Sequence, residues 1–401
     1  MRRRILAAYL GLLGLLAATL AAGGVLFFRD LTSGDPIDAV ANRHAYDVAG
    51  WELRHLTEKW AYKLANLFDS PRNEAESDAL LQAYFELTAE IAALERSGDD
   101  PRRLEGARGD RDAIENDVEE LLESRISDFL ADEGLVMNPP LFSDIDLFFP
   151  PLDFELDRSP RVLAVSPRDR IELDRSYLLE PGLLGEEIAA IEGEAERQAG
   201  VSALVVGTGG VATYPSVIPE LASYGSMVET VIHEWLHQYL AFFPLGSGYF
   251  SGDEARTLNE TVASMAGREL AEGFIVRFGS PEPEAEAGPE PSPPNGFDFR
   301  AEMRGLRLRV EELLGAGRVE EAERLMDEKR DEFESEGVFI RRINQAYFAF
   351  NGSYADSAGS IDPIGPKMER LRESAGSAAA FVLLARGLTS EADLDRLLER
   401  G

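Results

Sequence analysis

The stretch ETVIHEWLHQYL, residues 229–240, constrains the fold of this chain more than any other segment. A helix is predicted from about residue 219 to residue 243, and apolar side chains cover most of its circumference, so we expect it to be largely buried. Two of the chain's four histidines nevertheless lie in it, His233 and His237, with Glu234 beside the first. Buried polar groups need partners, so this helix is expected to carry a site.

Residues i and i+4 of a helix project from one face, one turn apart. His233 and His237 can therefore place two imidazole nitrogens on one side of a single Zn²⁺, while Glu234 points to the flank, where it can hold the water that zinc activates. Such a string arises by chance in roughly half a per cent of chains with so few histidines. The alternative is a pair of core histidines satisfied by hydrogen bonds, but the spacing favours zinc.

A catalytic zinc site uses three protein ligands and leaves a position for water. The chain has no cysteine and no histidine after His237, so the third ligand must be a carboxylate. The acidic residues that follow are Asp253, Glu254, Glu260 and Glu269. Glu260 is preferred, because the alanines and glycine on its side of a second predicted helix, from Thr257, would let that helix approach the first closely. Glu269 is the second choice.

The segments HEWLH and LNETVA together resemble the gluzincin zinc metallopeptidases, in which HExxH is followed roughly 18–25 residues later by Asn-Glu on a second helix, as in thermolysin-like and aminopeptidase-like enzymes. Here 22 residues separate His237 from Glu260. The resemblance implies a zincin-like fold with His233, His237 and Glu260 as zinc ligands. It further implies that Glu234 is the general base and that Asn259 supports a ligand.

No histidine is left for the oxyanion-stabilising role that some of these enzymes give one. The negative charge that develops during hydrolysis must then be stabilised by a tyrosine, an arginine or the metal alone. Tyr347 and Tyr354 are the predicted catalytic tyrosines and Arg341 is the arginine candidate, with ordinary aromatic packing as the alternative for each tyrosine. The segment GGVATYPSV, which contains Tyr214, is predicted to line the cleft as a strand against which a peptide could pair.

An uncharged run from Ile5 to Phe28 follows the basic residues MRRR at the N-terminus. As a helix rising ~1.5 Å per residue, it would span roughly 36 Å, enough to cross a hydrocarbon core of about 30 Å. We interpret residues 1–28 as a transmembrane signal anchor, with a cleaved signal peptide as the alternative. The basic residues then predict a single-pass protein of the cell membrane with a cytoplasmic N-terminus and an extracytoplasmic catalytic domain.

Residues 36–134 show helical periodicity and predict a bundle of three long helices. Residues 135–401 combine strand and helix patterns and are predicted to form a zincin-like metallopeptidase domain, with a disordered acidic and Pro-rich insertion at 279–297. The predicted fold class is α+β and predominantly helical. It comprises a zincin-like catalytic domain with a small mixed sheet, preceded by a transmembrane helix and a helical bundle region.

The net charge of −33 argues against a nucleic-acid partner, because binding to phosphates needs clustered Lys and Arg. The sequence therefore predicts a membrane-anchored metallopeptidase with Zn²⁺ as cofactor and a peptide or protein as substrate. Two alternatives stay open. One is a zinc hydrolase of a non-peptide substrate such as a cell-wall amide, and the other is a zinc-stabilised binding protein without turnover, in which Glu234→Gln would leave every function intact.

Overall fold

The computed structural model describes residues 35–65, 72–98, 100–137, 148–282, 297–355 and 357–399. Within these ranges the chain forms fourteen α-helices, five short strands and one short 3₁₀-helix at Tyr249–Ser251. The helices of the first part are α1 Pro36–Asn42, α2 Val48–Ala65, α3 Glu74–Ser97, α4 Pro101–Asp132, α5 Gly185–Ala199, α6 Tyr224–Leu240 and α7 Pro244–Ser247. Those of the second part are α8 Asp253–Phe278, α9 Phe299–Gly315, α10 Val319–Ser335, α11 Gln345–Gly352, α12 Ile364–Ser374, α13 Ala378–Ala385 and α14 Glu391–Leu398.

The predicted membrane anchor, residues 1–28, lies outside the described ranges, as does most of the predicted insertion at 279–297. Among the helices that the structure describes, none is long and apolar enough to span a bilayer. This finding corrects the predicted fold class and the predicted cell-membrane location, both of which included a transmembrane helix, because the described fold contains none.

The first long helix predicted in the N-terminal region is broken in two. Helix α1 ends at Asn42, and α2 begins only at Val48. Between them the chain runs beside a strand, where Ala45 forms a bridge with Leu179 and the Tyr46 N–H donates to the carbonyl of Leu178 at 3.0 Å. A tertiary pairing therefore interrupts a segment whose own periodicity is helical.

The strands form two small sheets and not the single mixed sheet that was predicted. They are β1 Phe154–Asp157, β2 Arg161–Pro167, β3 Arg175–Leu179, β4 Val201–Gly207 and β5 Ser216–Pro219. One sheet is antiparallel with the order β3-β2-β4, and the other is the parallel pair β1 and β5. The glycine-rich segment GTGG begins at Gly207, the last residue of β4, and the chain then turns to place β5 against β1.

The largest apolar cluster joins the N-terminal helices α3 and α4 to α6, α8, α12, α13 and α14. A second core packs the antiparallel sheet on α1 and α5, and a third holds α9, α10 and α11 together. Helix α6 lies inside the largest core, and Trp235 on it is buried, with its indole N–H donating to the carbonyl of Pro150 at 2.9 Å. The helix is thus fixed on most of its surface.

Helix α6 begins at Tyr224, five residues later than the sequence predicted. Ser223 forms the N-cap, with its hydroxyl accepting from the backbone N–H of Ser226, a usual start for a helix. The preceding residues Ser216–Pro219 belong to β5. At its other end, the amide of Gln238 donates to the Thr213 carbonyl at 2.7 Å and to the Ser216 hydroxyl at 2.8 Å, which ties α6 to the start of β5 and to the segment before it.

Candidate metal centre

Helices α6 and α8 are in close contact and run antiparallel, since His237 lies against Asn259 while His233, one turn earlier on α6, lies against Gly267, further along α8. A Cβ atom placed on Gly267 would lie 3.4 Å from the Cβ of His233 and 3.5 Å from its backbone. A side chain larger than that of alanine at this position would push the helices apart. The close approach predicted from the small residues of α8 is therefore present.

The facing sides of these helices bring three side chains to one point. The Nε2 atoms of His233 and His237 are 3.0 Å apart. The Oε2 atom of Glu260 lies 3.6 Å from the first of them and 3.4 Å from the second. Among the described residues, this is the one group of His, Asp or Glu side chains whose spacing could hold a metal ion.

The donor set matches the requirements of a small cation. Donor atoms that bind one zinc ion at about 2.0–2.2 Å in a tetrahedron lie roughly 3.3–3.6 Å apart, close to the separations found here. The Oε2 atom of Glu260 is buried and has no hydrogen-bond partner within the described ranges. A buried carboxylate oxygen without a donor is costly, and a cation held between it and the two imidazoles would satisfy it.

Two of the three ligand candidates, His237 and Glu260, are oriented by a neighbour. The Nδ1 atom of His237 lies 2.7 Å from the Oδ1 atom of Asn259, an acceptor that holds a proton on Nδ1, and Nε2 is the ring nitrogen that faces Glu260. The hydroxyl of Tyr249 donates to Oε1 of Glu260 at 2.5 Å. Sequence reasoning missed Tyr249, because it lies in a short 3₁₀-helix without periodicity and no spacing rule points to it.

The electrostatics of the cluster favour a negative Glu260. Burial acts to raise the pKa of this carboxyl, but His237 and His233 outweigh it and hold the pKa well below its usual range. Burial likewise acts to lower the pKa of His237, whereas the charge of Glu260 raises it to about 9. The negative charge of Glu260 therefore attracts a positive charge to this point, whether a proton on the imidazoles or a metal ion.

Glu234 lies beside the cluster and is not one of its three members. It is 6% exposed, and burial raises the pKa of its carboxyl, against the opposing effect of His233 and His237. The backbone at Gly210 passes directly over it, since a Cβ on Gly210 would stand 2.7 Å from Oε1 of Glu234. The backbone of the GTGG segment thus packs directly against the side chain of Glu234, which a residue larger than glycine at position 210 would not allow.

Of the two predicted tyrosines, the structure brings only Tyr354 near the cluster. The backbone N–H of its neighbour Ala355 donates to the hydroxyl of Thr261 at 3.2 Å, one residue after Glu260. Burial, Glu260 and Tyr354 all raise the pKa of Tyr249 well above its usual range, which also places the Tyr354 ring in this neighbourhood.

Tyr347 lies elsewhere, with its ring packed in the cores around α10, α11 and the antiparallel sheet. Burial alone raises its pKa, and no charged neighbour contributes. Tyr347 therefore lies in a packed region outside the cluster of His233, His237 and Glu260.

The remaining candidates have other partners. Glu269 forms an ion pair with Arg372, and Arg341 forms one with Glu192, so neither belongs to the cluster. Tyr214 is buried, with its backbone N–H donating to Glu52 at 3.3 Å, so its side chain does not line an open surface.

Comparison with known proteins finds no family model that matches the chain, and no curated protein or solved structure that matches it. A functional assignment therefore has to come from the chemistry of the site.

Proposed function

We propose that this protein is a zinc-dependent hydrolase that cleaves peptide bonds. The observation that supports this most is the convergence of the His233 and His237 Nε2 atoms with Oε2 of Glu260, next to the buried carboxyl of Glu234. Two imidazoles and one carboxylate are the donor set of a zinc site that keeps a position free for chemistry. Mg²⁺ and Ca²⁺ prefer shells made only of oxygen.

In this proposal, His233, His237 and Glu260 hold the ion. Zinc, when bound, supplies Lewis acidity, which polarises the scissile carbonyl and lowers the pKa of a water molecule. Asn259 keeps the His237 ring in the tautomer and orientation that leave Nε2 available.

Glu234 is the general base and then the general acid. It follows His233 directly, so its side chain points about 100° around the helix from the ligand direction and stays beside the ion. Its carboxylate takes a proton from the attacking water and gives it to the amine that leaves when the C–N bond breaks, so that Glu234 ends in its starting state. Gly210 leaves the room that this carboxyl needs.

Tyr354 is the proposed donor to the oxygen that becomes negative when water adds to the carbonyl. A preorganised donor of this kind stabilises the transition state more than the substrate. Two observations support this role: the charge of Tyr354 acts on Tyr249, and the backbone N–H of Ala355, the next residue, donates to the hydroxyl of Thr261, which follows Glu260.

The test compares wild type with Glu234→Gln and with a matched control, Glu229→Gln, which lies on the same helix and faces Arg268 at 3.7 Å. Wild type should carry about one zinc per chain and cleave members of a peptide library. Glu234→Gln should keep zinc and thermal stability but lose turnover by at least ~100-fold. Glu229→Gln should retain activity.

Other outcomes would identify another function. Cleavage of cell-wall amides without cleavage of peptides would change the substrate class and leave the chemistry intact. Full activity of Glu234→Gln would contradict the mechanism. Zinc binding without turnover on either substrate class would favour a binding protein.

A further inference from the structure

The carboxylate of Glu260 offers two oxygens, and only one of them faces the histidines. Oε2 lies 3.4 Å from Nε2 of His237, while Oε1 accepts the hydroxyl proton of Tyr249 at 2.5 Å. We propose that Tyr249 is a positioning residue that keeps Oε1 away from the metal, so that Glu260 binds through a single oxygen. This inference rests on the proposed function, because it assumes that the cluster holds a metal.

The position of Tyr249 is well defined. Its ring stands edge-on to the ring of His237, with centroids 6.0 Å apart and planes at 82°. Its 3₁₀-helix fills the short connection between α7 and α8, where the N–H of Ser251 donates to the carbonyl of Gly248 at 2.8 Å. The backbone and ring of Tyr249 are therefore held in place, and its hydroxyl is directed at Glu260. A donor that is positioned in advance holds an acceptor better than a mobile one.

The consequence concerns the number of free positions on the ion. A carboxylate that binds through both oxygens occupies two positions, whereas one that binds through one oxygen occupies one. Two histidines and a one-oxygen Glu260 make three ligands, which leaves a tetrahedral ion one position for water or substrate. Among the described residues, Tyr249 is the hydrogen-bond partner of Oε1 of Glu260, so loss of its hydroxyl would leave this oxygen to water or to the metal.

The experiment uses Tyr249→Phe, which removes only the hydroxyl, and loads wild type and variant with Co²⁺ and with Zn²⁺. The variant should show weaker visible absorption of bound cobalt, as expected when the coordination number rises, and a zinc affinity lowered about 10–100-fold, the usual loss for a residue that orients a ligand. The matched control is Tyr177→Phe, which removes a tyrosine hydroxyl bound at 2.8 Å to Asp38 in the second core. This control should leave the cobalt spectrum and the zinc affinity unchanged.

The possible failures are distinguishable. If wild type binds neither metal, the proposed function itself is wrong. If wild type binds both and Tyr249→Phe has the same spectrum and affinity, only the role of Tyr249 is refuted. If Tyr249→Phe does not fold, X-ray absorption of zinc-loaded wild type decides, because a carboxylate bound through two oxygens would overturn the inference and one bound through a single oxygen would support it.

Discussion

The Nδ1 atom of His237 lies 2.7 Å from the side-chain oxygen of Asn259, the residue immediately before Glu260. One turn of α8 thus supplies both a carboxylate that faces the imidazoles and the acceptor that orients one of them. Such a hydrogen bond fixes which ring nitrogen carries the proton and makes the other nitrogen a better ligand.

We therefore expect Asn259→Leu to lower zinc affinity about 10–100-fold, because the variant has a similar volume and cannot accept the ring proton. Asn259→Asp keeps an acceptor at this position and should retain affinity close to that of wild type. Titration with a competing chelator measures both values. Equal affinities for Asn259→Leu and wild type would show that the hydrogen bond does not matter to the metal.

The third ligand can be tested with two glutamates on one helix. Glu260→Gln should lower zinc affinity by at least about 100-fold, more than the loss of an orienting residue. Glu269→Gln should leave affinity unchanged, since Glu269 forms a partly exposed ion pair with Arg372, an interaction worth about 0–1 kcal/mol of stability. The opposite pattern would make Glu269 the ligand and the Asn-Glu spacing accidental.

Gly267 permits the close packing of α8 on α6. Two substitutions of different size, alanine and valine, test how tightly the helices are packed at this position. Gly267→Ala adds one methyl group at ordinary contact distance, 3.4 Å from the Cβ of His233, and should be neutral or stabilising because alanine favours helix. Gly267→Val adds further methyl groups at the interface and should cost about 1–3 kcal/mol. Urea unfolding of the two variants measures this difference, and equal stability would show that the helices are not tightly packed there.

Lys59 is the buried cation that holds the N-terminal helices to β1. Its Nζ atom lies 3.0 Å from Glu119, 2.8 Å from Glu123 and 3.2 Å from Asp153, and burial acts to lower its pKa while these carboxylates raise it well above the usual value. Lys59→Met should destabilise the protein by about 3–5 kcal/mol, because Glu119 loses its counter-charge and Glu123 and Asp153 keep only that of Lys63. The control Lys329→Met removes exposed ion pairs and should cost about 0–1 kcal/mol.

These two stabilities can be compared by urea unfolding at neutral pH. A small effect of Lys59→Met, similar to that of Lys329→Met, would mean that the carboxylates are satisfied in another way. In that case the ion pairs of Lys59 would contribute little to holding α2, α4 and β1 together.

Helix-scale features of this protein could be predicted from its sequence. The shared face of His233 and His237 follows from 3.6 residues per turn, and the burial of their helix follows from its apolar circumference. The close approach of α8 could be anticipated from Gly267, because small side chains are a local property of the sequence. Glu260 as a metal ligand remains a prediction, although the structure brings it to the histidines.

Only the tertiary structure decided how distant segments meet. Nothing local to Tyr347 or Tyr354 separates a packing ring from one near the site, and nothing local to Tyr249 directs its hydroxyl to Glu260. The division into two sheets and the break between α1 and α2 likewise depend on pairings with residues far along the chain. Periodicity reports which side of an element is apolar, whereas the choice among partners is made by long-range packing, which a single sequence does not encode in any local pattern.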